Sequence, residues 1–257
     1  MRLEGAAAIV TGGGTGVGAA TALRLARKGA HVIVNYSRSA EEAERTVEAC
    51  RALGVEAKAA RADVSRDEDC RALVAAAEEA WGRLDVLVNS AGTTRFIPHE
   101  DLDAVTPEIF DAIFAVNLRG PFQMCRAAVA LMRRTGQGAI ANVSSVSGIV
   151  GDGSSIPYAA SKGALNTLTR SLARLLAPEI RVNAVCPDYI AGRWMRNGVG
   201  DEAYERIMTD ARRKSAIDRV AEPDDIAEAI LWLLEGAAFI TGDAIVVDGG
   251  IHLGKNA

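Results

Sequence analysis

The chain has 257 residues, 49% of them hydrophobic and 24% charged, and a formal net charge of −4 at neutral pH. This length suffices for one large α/β core, and the mild acidity argues against a nucleic-acid-binding surface. Because no sustained apolar segment or export signal is visible, we expect a cytoplasmic protein with no membrane or nucleic-acid partner.

Short β-branched runs alternate with longer amphipathic stretches, a pattern typical of a parallel sheet with helices on both faces. We therefore predict an α/β fold, a Rossmann-type doubly wound parallel sheet of seven strands. Because no linker or composition break divides the chain, residues 1–257 are predicted to form a single domain. The strand candidates are residues 7–10, 32–35, 55–60, 86–89, 139–143, 182–185 and 244–247. Helices are predicted to begin near Gly16, Ala40, Arg66, Pro107, Pro121, Tyr158 and Pro223.

Residues 188–220 interrupt this regular alternation, since aromatic and methionine side chains occur there among charges. This composition favours a helical segment that covers a site, and we name residues 188–220 the lid.

The cysteines and histidines are widely spaced and form neither a C-x-x-C nor an H-x-x-x-H pair. We therefore predict reduced, mostly buried thiols and no metal site. The residues concerned are Cys50, Cys70, Cys125, Cys186, His31, His99 and His252.

A glycine-rich run at residues 11–18 joins the first predicted strand to the first predicted helix. Gly12 permits a tight turn, Gly16 lets backbone amides approach a pyrophosphate, and Gly18 lets the helix pack closely on the strand. Since a helix N-terminus also attracts anions, the run indicates a dinucleotide site, although an ordinary strand-to-helix loop has similar glycines. The predicted cofactor contacts in this run are Gly12, Gly14, Thr15, Gly16, Val17 and Gly18.

Tyr158 and Lys162 are four residues apart, so a helix places them on one face, one turn apart. Alone, the pair also fits an exposed tyrosine packed on a lysine stem. Ser145, after the fifth predicted strand, and Asn117, in the preceding helical region, add a hydroxyl and an amide. Beside a dinucleotide site, these four residues predict an acid–base apparatus for carbonyl/alcohol interconversion.

In this order and spacing, the motifs resemble those of the short-chain dehydrogenase/reductase family over nearly the whole chain, and the overall pattern is most similar to 3-oxoacyl-[acyl-carrier-protein] reductases. The resemblance implies an oxidoreductase that transfers a hydride to or from the C4 position of a nicotinamide. The matching motifs are the glycine turn at 11–18, Asp63-Val64, Asn89-Ser90-Ala91-Gly92, Asn117, Ser145, Tyr158-x-x-x-Lys162, Ile240-Thr241-Gly242 and Val247-Asp248-Gly249-Gly250.

The resemblance also implies a role for each catalytic residue. Tyr158 is expected to exchange a proton with the substrate oxygen, and Ser145 to form a hydrogen bond with that oxygen. Lys162 is expected to hold the nicotinamide ribose, and its charge, together with that of an oxidised nicotinamide, is expected to favour the tyrosinate form. Asn117 is expected to position a water that connects Lys162 to solvent.

Further cofactor contacts follow from the same resemblance. Asp63 and the Val64 amide are expected at the adenine, and the loop after the fourth strand along the cofactor channel. The implied contacts are Asp63, Val64, Asn89, Ala91, Gly92, Tyr158, Lys162, Pro187 and Ile190.

The segment after the sixth strand departs from the family pattern Pro-Gly-x-Ile-x-Thr, because Asp188 replaces the glycine and Gly192 the threonine. The threonine hydroxyl of the pattern is expected near the nicotinamide carboxamide. Here that contact must come from backbone groups such as Ile190 or from a lid residue, unless it is absent.

Cofactor preference depends on the end of the second strand, where Asn35, Ser37 and Arg38 stand and a ribose-binding carboxylate is missing. We therefore predict NADP(H) in preference to NAD(H). Two observations weaken this preference: Thr15 occupies a position where NADP-using relatives often have arginine, and Arg38 also fits a solvated helix start.

The substrate is the least determined feature. Polyol, sugar and other small-ketone dehydrogenases share all these motifs with 3-oxoacyl reductases, and a non-catalytic sensor of NADP(H) also remains open. We expect a small-molecule carbonyl or alcohol substrate and a homotetramer formed through the helices at 110–134 and 158–176. The predicted pocket residues are Thr94, Arg95, Phe96, Ser147, Ile149, Tyr189, Trp194 and Met195.

Overall fold

Seven parallel strands form one sheet with the order β3-β2-β1-β4-β5-β6-β7. They are seen in a computed structural model that describes residues 1–254; the end of the predicted domain, residues 255–257, lies outside the described residues. The strands are β1 (Ala7–Thr11), β2 (His31–Tyr36), β3 (Ala57–Arg61), β4 (Val86–Asn89), β5 (Gly138–Val143), β6 (Ile180–Pro187) and β7 (Ala244–Val247).

Helices connect successive strands throughout the sheet. They are α1 (Gly16–Arg27), α2 (Ala40–Arg51), α3 (Asp67–Trp81), α4 (Pro107–Phe114), α5 (Gly120–Arg134), α6 (Ser147–Val150), α7 (Ile156–Leu176), α8 (Arg193–Val199), α9 (Asp201–Lys214) and α10 (Pro223–Glu235). A π-helical segment, Ala115–Arg119, joins α4 to α5, and a 3-10 turn covers Ile251–Leu253.

Both faces of the sheet are covered by apolar layers, because successive side chains of each buried strand point to opposite faces. In β1, Ala8 and Val10 belong to the layer that also contains residues of α1, α2 and α10, whereas Ile9 belongs to the layer with residues of α3, α5 and α7. Each fully buried large aliphatic side chain contributes about 1.5–3 kcal/mol. The predicted α/β fold with helices on both faces is confirmed.

The strand and helix predictions agree with the structure within a few residues, except that the π-helical segment and α6 were not predicted. Pro121 explains the π-helical segment. A proline has no N–H, and its ring collides with the carbonyl four residues earlier, here that of Asn117, so the preceding turn widens. The wider turn places Asn117 in the interior, where it is completely buried.

The carboxyl ends of the central strands meet at one edge of the sheet. Thr11 is in register with Asn89, Asn89 with Asn142, and Val143 with Val185. The loops that follow β1, β4, β5 and β6 therefore lie side by side. A parallel sheet of this kind binds ligands at that edge.

The structure also bears on the thiols, on metal-ligand clusters and on membrane-spanning helices. All four cysteines are buried and free. Within residues 1–254, no cluster of three His, Cys, Asp or Glu side chains is arranged to hold a metal ion. No helix in the same part of the chain has the length and apolar character needed to cross a membrane.

Candidate active site

The glycine turn after β1 has the shape of a phosphate-binding loop. Gly12 has a φ of +62°, and a Cβ atom at Gly18 would lie 2.3 Å from the Gly12 carbonyl oxygen, so both positions require glycine. A Cβ at Gly16 would meet no atom within 4 Å, and Thr15 makes no side-chain cap to α1. The first amides of α1 are thus left for an anion, and the turn fits a dinucleotide pyrophosphate.

Asn35 supports this turn from within the protein. Its side chain is only 2% exposed; its Oδ1 accepts a hydrogen bond from the Gly12 amide at 3.3 Å, and its Nδ2 donates to the carbonyls of Ala60 and Ala62 at 3.2 and 3.0 Å. The side chain is committed to backbone groups of the protein. This geometry makes Asn35 a support of the glycine turn and differs from the direct cofactor contact expected from the sequence.

Three of the four residues expected around the adenosine half lie at the surface, after β2 and β3. Ser37 and Arg38 are exposed, and Arg38 makes no ion pair with the described residues. Asp63 is exposed as well, and its Oδ1 accepts from the Ser65 amide at 2.9 Å. Val64 is buried and packs against Gly120.

Thr11, which the sequence analysis did not select, links the glycine turn to the loop after β4. Its Oγ1 accepts hydrogen bonds from the amides of Ser90 and Ala91 at 3.0 and 3.1 Å. Asn89 faces the interior, where its Nδ2 donates to Asn142 Oδ1 at 2.8 Å, whereas a Cβ at Gly92 would lie 3.9 Å from Lys162 Nζ. Only the later part of the Asn89–Gly92 motif therefore adjoins Lys162.

Helix α7 carries Tyr158 and Lys162 on one face. Ser155 caps the helix by accepting from the Tyr158 amide at 3.4 Å, and Lys162 Nζ lies 5.6 Å from the centre of the Tyr158 ring. The ammonium group donates to the Val143 carbonyl at 2.8 Å, and Ser144 Oγ donates to the Lys162 carbonyl at 3.1 Å. Burial lowers the pKa of Lys162 to about 8.

Ser145 follows β5 and adjoins Tyr158. Its hydroxyl donates to the Pro187 carbonyl at 3.3 Å and accepts from the Ser147 amide at 3.1 Å. Burial raises the pKa of Tyr158 to about 12, while a hydrogen bond with Ser145 opposes the shift and the charge of Asp188 adds to it.

Asn117 connects the loop after β4 to α7. Its Oδ1 accepts from the Thr93 amide at 2.8 Å, and its Nδ2 donates to the Thr93 carbonyl at 2.9 Å and to Ser161 Oγ at 3.1 Å. Both amide protons are used, so the second lone pair of Oδ1 is what the side chain has left for a water.

Aromatic rings cover Tyr158. The ring of Trp194 lies 6.0 Å from that of Tyr158 and 5.7 Å from that of Phe96, and Gly198 packs directly on Phe96. Helix α8, in the lid, thereby contacts both α7 and the loop after β4. Of the other predicted pocket residues, three are partly buried: Ser147, Tyr189 and Met195. Arg95 and Ile149 are exposed. Thr94 Oγ1 forms a hydrogen bond with Ser154 Oγ at 2.7 Å.

Asp188 brings a carboxyl group to the same end of the site. Burial raises its pKa to about 6; the negative charge of Asp248 adds to the shift, and Lys214 opposes it. Gly192 has a φ of +157°, a conformation that L side chains rarely adopt. Ile190 is half-buried and forms a parallel bridge with Ala221.

Comparisons with known proteins agree with this architecture. A family model described as enoyl-(acyl carrier protein) reductase matches residues 12–252. A solved structure described as a short-chain dehydrogenase/reductase, from Burkholderia xenovorans, is 40% identical, with a TM-score of 0.90 over 97% of this chain and 99% of that one. The chain belongs to the short-chain dehydrogenase/reductase family.

Relatives in this family carry related names. A protein of Streptomyces violaceoruber named ketoacyl reductase 2 of the granaticin polyketide synthase is 44% identical over 97% of both chains. A 3-oxoacyl-[acyl-carrier-protein] reductase of Staphylococcus aureus is 38% identical over 96% of this chain and 98% of its own length. As a short-chain dehydrogenase/reductase, the protein is an oxidoreductase that interconverts carbonyl and alcohol groups.

Proposed function

We propose that this short-chain dehydrogenase/reductase is an NADP(H)-dependent ketone reductase, with 3-oxoacyl thioesters as the first substrate class to test. The observation that carries the proposal is the placement of Tyr158 and Lys162 on one face of α7, beside Ser145 and next to the glycine turn. The names of two relatives support the substrate class.

Each catalytic side chain has a distinct task in this proposal. When bound, the dinucleotide supplies the hydride in reduction and accepts it in oxidation. Tyr158 gives its phenolic proton to the substrate oxygen, and the Ser145 hydroxyl turns from the Pro187 carbonyl to donate a hydrogen bond to the same oxygen. Lys162 holds the nicotinamide ribose, and Asn117 holds the loop after β4 against α7.

Tyr158 is protonated in the environment that the protein itself provides. Burial raises the pKa of its phenol to about 12, so at neutral pH Tyr158 carries the proton that reduction of a carbonyl requires.

Removal of the Tyr158 hydroxyl tests the mechanism. We expect Tyr158→Phe to lower kcat by about 10²–10⁴-fold, the range typical of general acid catalysis, while the dissociation constant of NADPH stays unchanged. NADPH oxidation with acetoacetyl thioesters and a panel of ketones measures the first quantity, and fluorescence titration the second. A variant that keeps the wild-type kcat would exclude Tyr158 as the proton donor.

The NADP(H) preference is supported by Arg38, whose guanidinium is exposed and unpaired among the described residues. Together with Ser37 it is available to a 2′-phosphate. We expect Arg38→Ala to raise the dissociation constant of NADPH and to leave that of NADH nearly unchanged. Equal losses for both would show that Arg38 contacts the adenine or shapes the loop.

Polyol or sugar oxidation is a second candidate, favoured by Asp188. Its half-buried carboxyl makes no hydrogen bond within residues 1–254 and, with a pKa of about 6, is ionised at neutral pH, so it can accept hydrogen bonds from substrate hydroxyls. Oxidation of polyols or sugars with NADP⁺ at a higher kcat/KM than reduction of 3-oxoacyl thioesters would favour this candidate.

We also propose a cytoplasmic homotetramer in which residues 188–220 serve as the substrate lid. Phe110 and Phe122 are 39% and 42% exposed. A groove of about 750 Å³ is lined by Phe122 with Phe114, Leu118 and Leu168, and also by Asp111 and Arg119. This apolar surface supports pairing with a second copy. Sedimentation at micromolar concentration tests the oligomer, and a 27.0 kDa monomer would exclude it.

A further inference from the structure

A tyrosine hydroxyl from the second lid helix meets the backbone at Gly192. Tyr204 Oη accepts a hydrogen bond from the Gly192 amide at 3.1 Å, and Tyr204 is only 6% exposed. Among residues 1–254, no acceptor is found for the phenolic proton of Tyr204. The hydroxyl of this nearly buried tyrosine therefore has its proton available beside residue 192.

The ring of Tyr204 is fixed by charged groups from both lid helices. The guanidinium of Arg196, on α8, lies 4.1 Å from the ring centre. Arg196 is itself held by Asp201 and Glu205 of α9, each at 2.8 Å. These contacts join α8 to α9 and fix the position of the hydroxyl.

Gly192 lies at the catalytic end of the site. It follows β6, whose last residue, Pro187, accepts the hydrogen bond of Ser145. Between them, the Ala191 amide donates to the Ala221 carbonyl at 2.8 Å, which ties the connection to the segment before α10. The Gly192 backbone is thus held on both sides, by Ala221 and by Tyr204.

The chain then crosses from the catalytic end toward the glycine turn. Arg193 forms an ion pair with Glu42, in the first turn of α2. The next residue of that helix, Ala43, has its backbone 3.0 Å from the Cβ position of Gly14. The start of the lid therefore spans from the catalytic serine to the proposed phosphate-binding loop.

We propose that Tyr204 is a positioning residue for the nicotinamide half of the cofactor. Its hydroxyl fixes the backbone at Gly192 and offers its free proton to an acceptor on that half. Position 192 has no side-chain hydroxyl of its own, and Tyr204 brings one there from 12 residues further along the chain. This role, which rests on the dinucleotide binding proposed above, concerns one half of the ligand and leaves the adenosine half unaffected.

Tyr204→Phe tests the role, because it removes the hydroxyl and keeps the ring under Arg196. Calorimetric titration with NADPH and with adenosine 2′,5′-bisphosphate, which has only the adenosine half, separates the two ends of the site. We expect NADPH to bind about 2- to 10-fold more weakly, the range for one lost hydrogen bond, and the bisphosphate to bind as in the wild type.

Thr209→Val is the matched control. It removes a hydroxyl from the same helix, and within residues 1–254 this hydroxyl donates only to the Glu205 carbonyl, at 2.8 Å. We expect Thr209→Val to change the affinity for neither ligand. Unchanged NADPH binding in Tyr204→Phe, or an equal loss for both ligands, would overturn the positioning role. A wild-type protein that binds neither ligand would instead contradict the dinucleotide binding itself.

Discussion

Gly148 is the position where an added methyl group is expected to disturb catalysis most directly. A Cβ there would lie 2.5 Å from both the Gly163 nitrogen and the Lys162 carbonyl carbon, about 0.9 Å closer than the 3.4 Å at which ordinary contact begins. Since these are backbone atoms, α6 must move away from α7. The cost is about 1–3 kcal/mol of overpacking.

The movement separates Ser145, just before α6, from Lys162 on α7. A displacement of about 1 Å in a catalytic constellation can lower the rate about 10²-fold, and we expect a loss of that order in kcat/KM for Gly148→Ala. Urea unfolding and NADPH oxidation with an accepted ketone measure the two effects.

Gly163→Ala is the matched control on the other side of the same contact. Its Cβ would lie 3.3 Å from the nearest atom, the Gly148 carbonyl oxygen, and alanine in a helix interior is favoured over glycine by about 0.5–1 kcal/mol. We expect wild-type activity and unchanged or slightly raised stability. Wild-type activity in Gly148→Ala, or equal damage in both variants, would refute the steric reasoning.

Three further predictions concern stability. Gly192→Ala and Gly192→Thr are each expected to lower the free energy of unfolding by about 1–3 kcal/mol. The cause is the φ of +157°, which strains any residue with a side chain, and not a steric clash, since an added Cβ would meet no atom within 4 Å. Unchanged urea midpoints would show that the loop relaxes. Arg181→Met is expected to lower the free energy of unfolding by about 1.5–3 kcal/mol, because the guanidinium donates to the carbonyls of Leu233, Leu234 and Ala237 at the end of α10. Stability in urea equal to that of the wild type would contradict this capping role. Burial lowers the pKa of Lys162 from 10.5 to about 8, so between these pH values the unfolded chain binds the proton of this lysine more readily than the folded protein does. Lys162 therefore contributes a free energy of unfolding that rises with pH across that window. In urea titrations, the stability of the wild type relative to Lys162→Met is expected to rise with pH there, and a constant difference would contradict this contribution.

The sequence predicts features that depend on neighbouring residues. The strands, the glycine turn and the pairing of Tyr158 with Lys162 on one helix face follow from periodicity and spacing within a few positions. For the same reason Gly12 and Gly18 could be selected as positions that require glycine, since a turn and a close strand-to-helix contact are both local.

The remaining features depend on contacts between distant segments. Asn35 is held by carbonyls of β3 and the loop after it, Thr11 by amides after β4, and Tyr204 by Gly192. Burial of the Tyr158 phenol, which raises its pKa, likewise depends on distant segments and is not displayed by the sequence.

The burial of Asn35 limits how cofactor preference can evolve or be redesigned. Exchange of this residue for aspartate, the simplest change toward ribose recognition, would remove the amide donors to Ala60 and Ala62 and direct a negative charge at two carbonyl oxygens. A lineage that altered position 35 first would lose the shape of the glycine turn before it gained a new ligand. Changes at Ser37 and Arg38 carry no such penalty, because both side chains are exposed. Cofactor preference can therefore be altered at these two surface positions while Asn35 continues to hold the glycine turn.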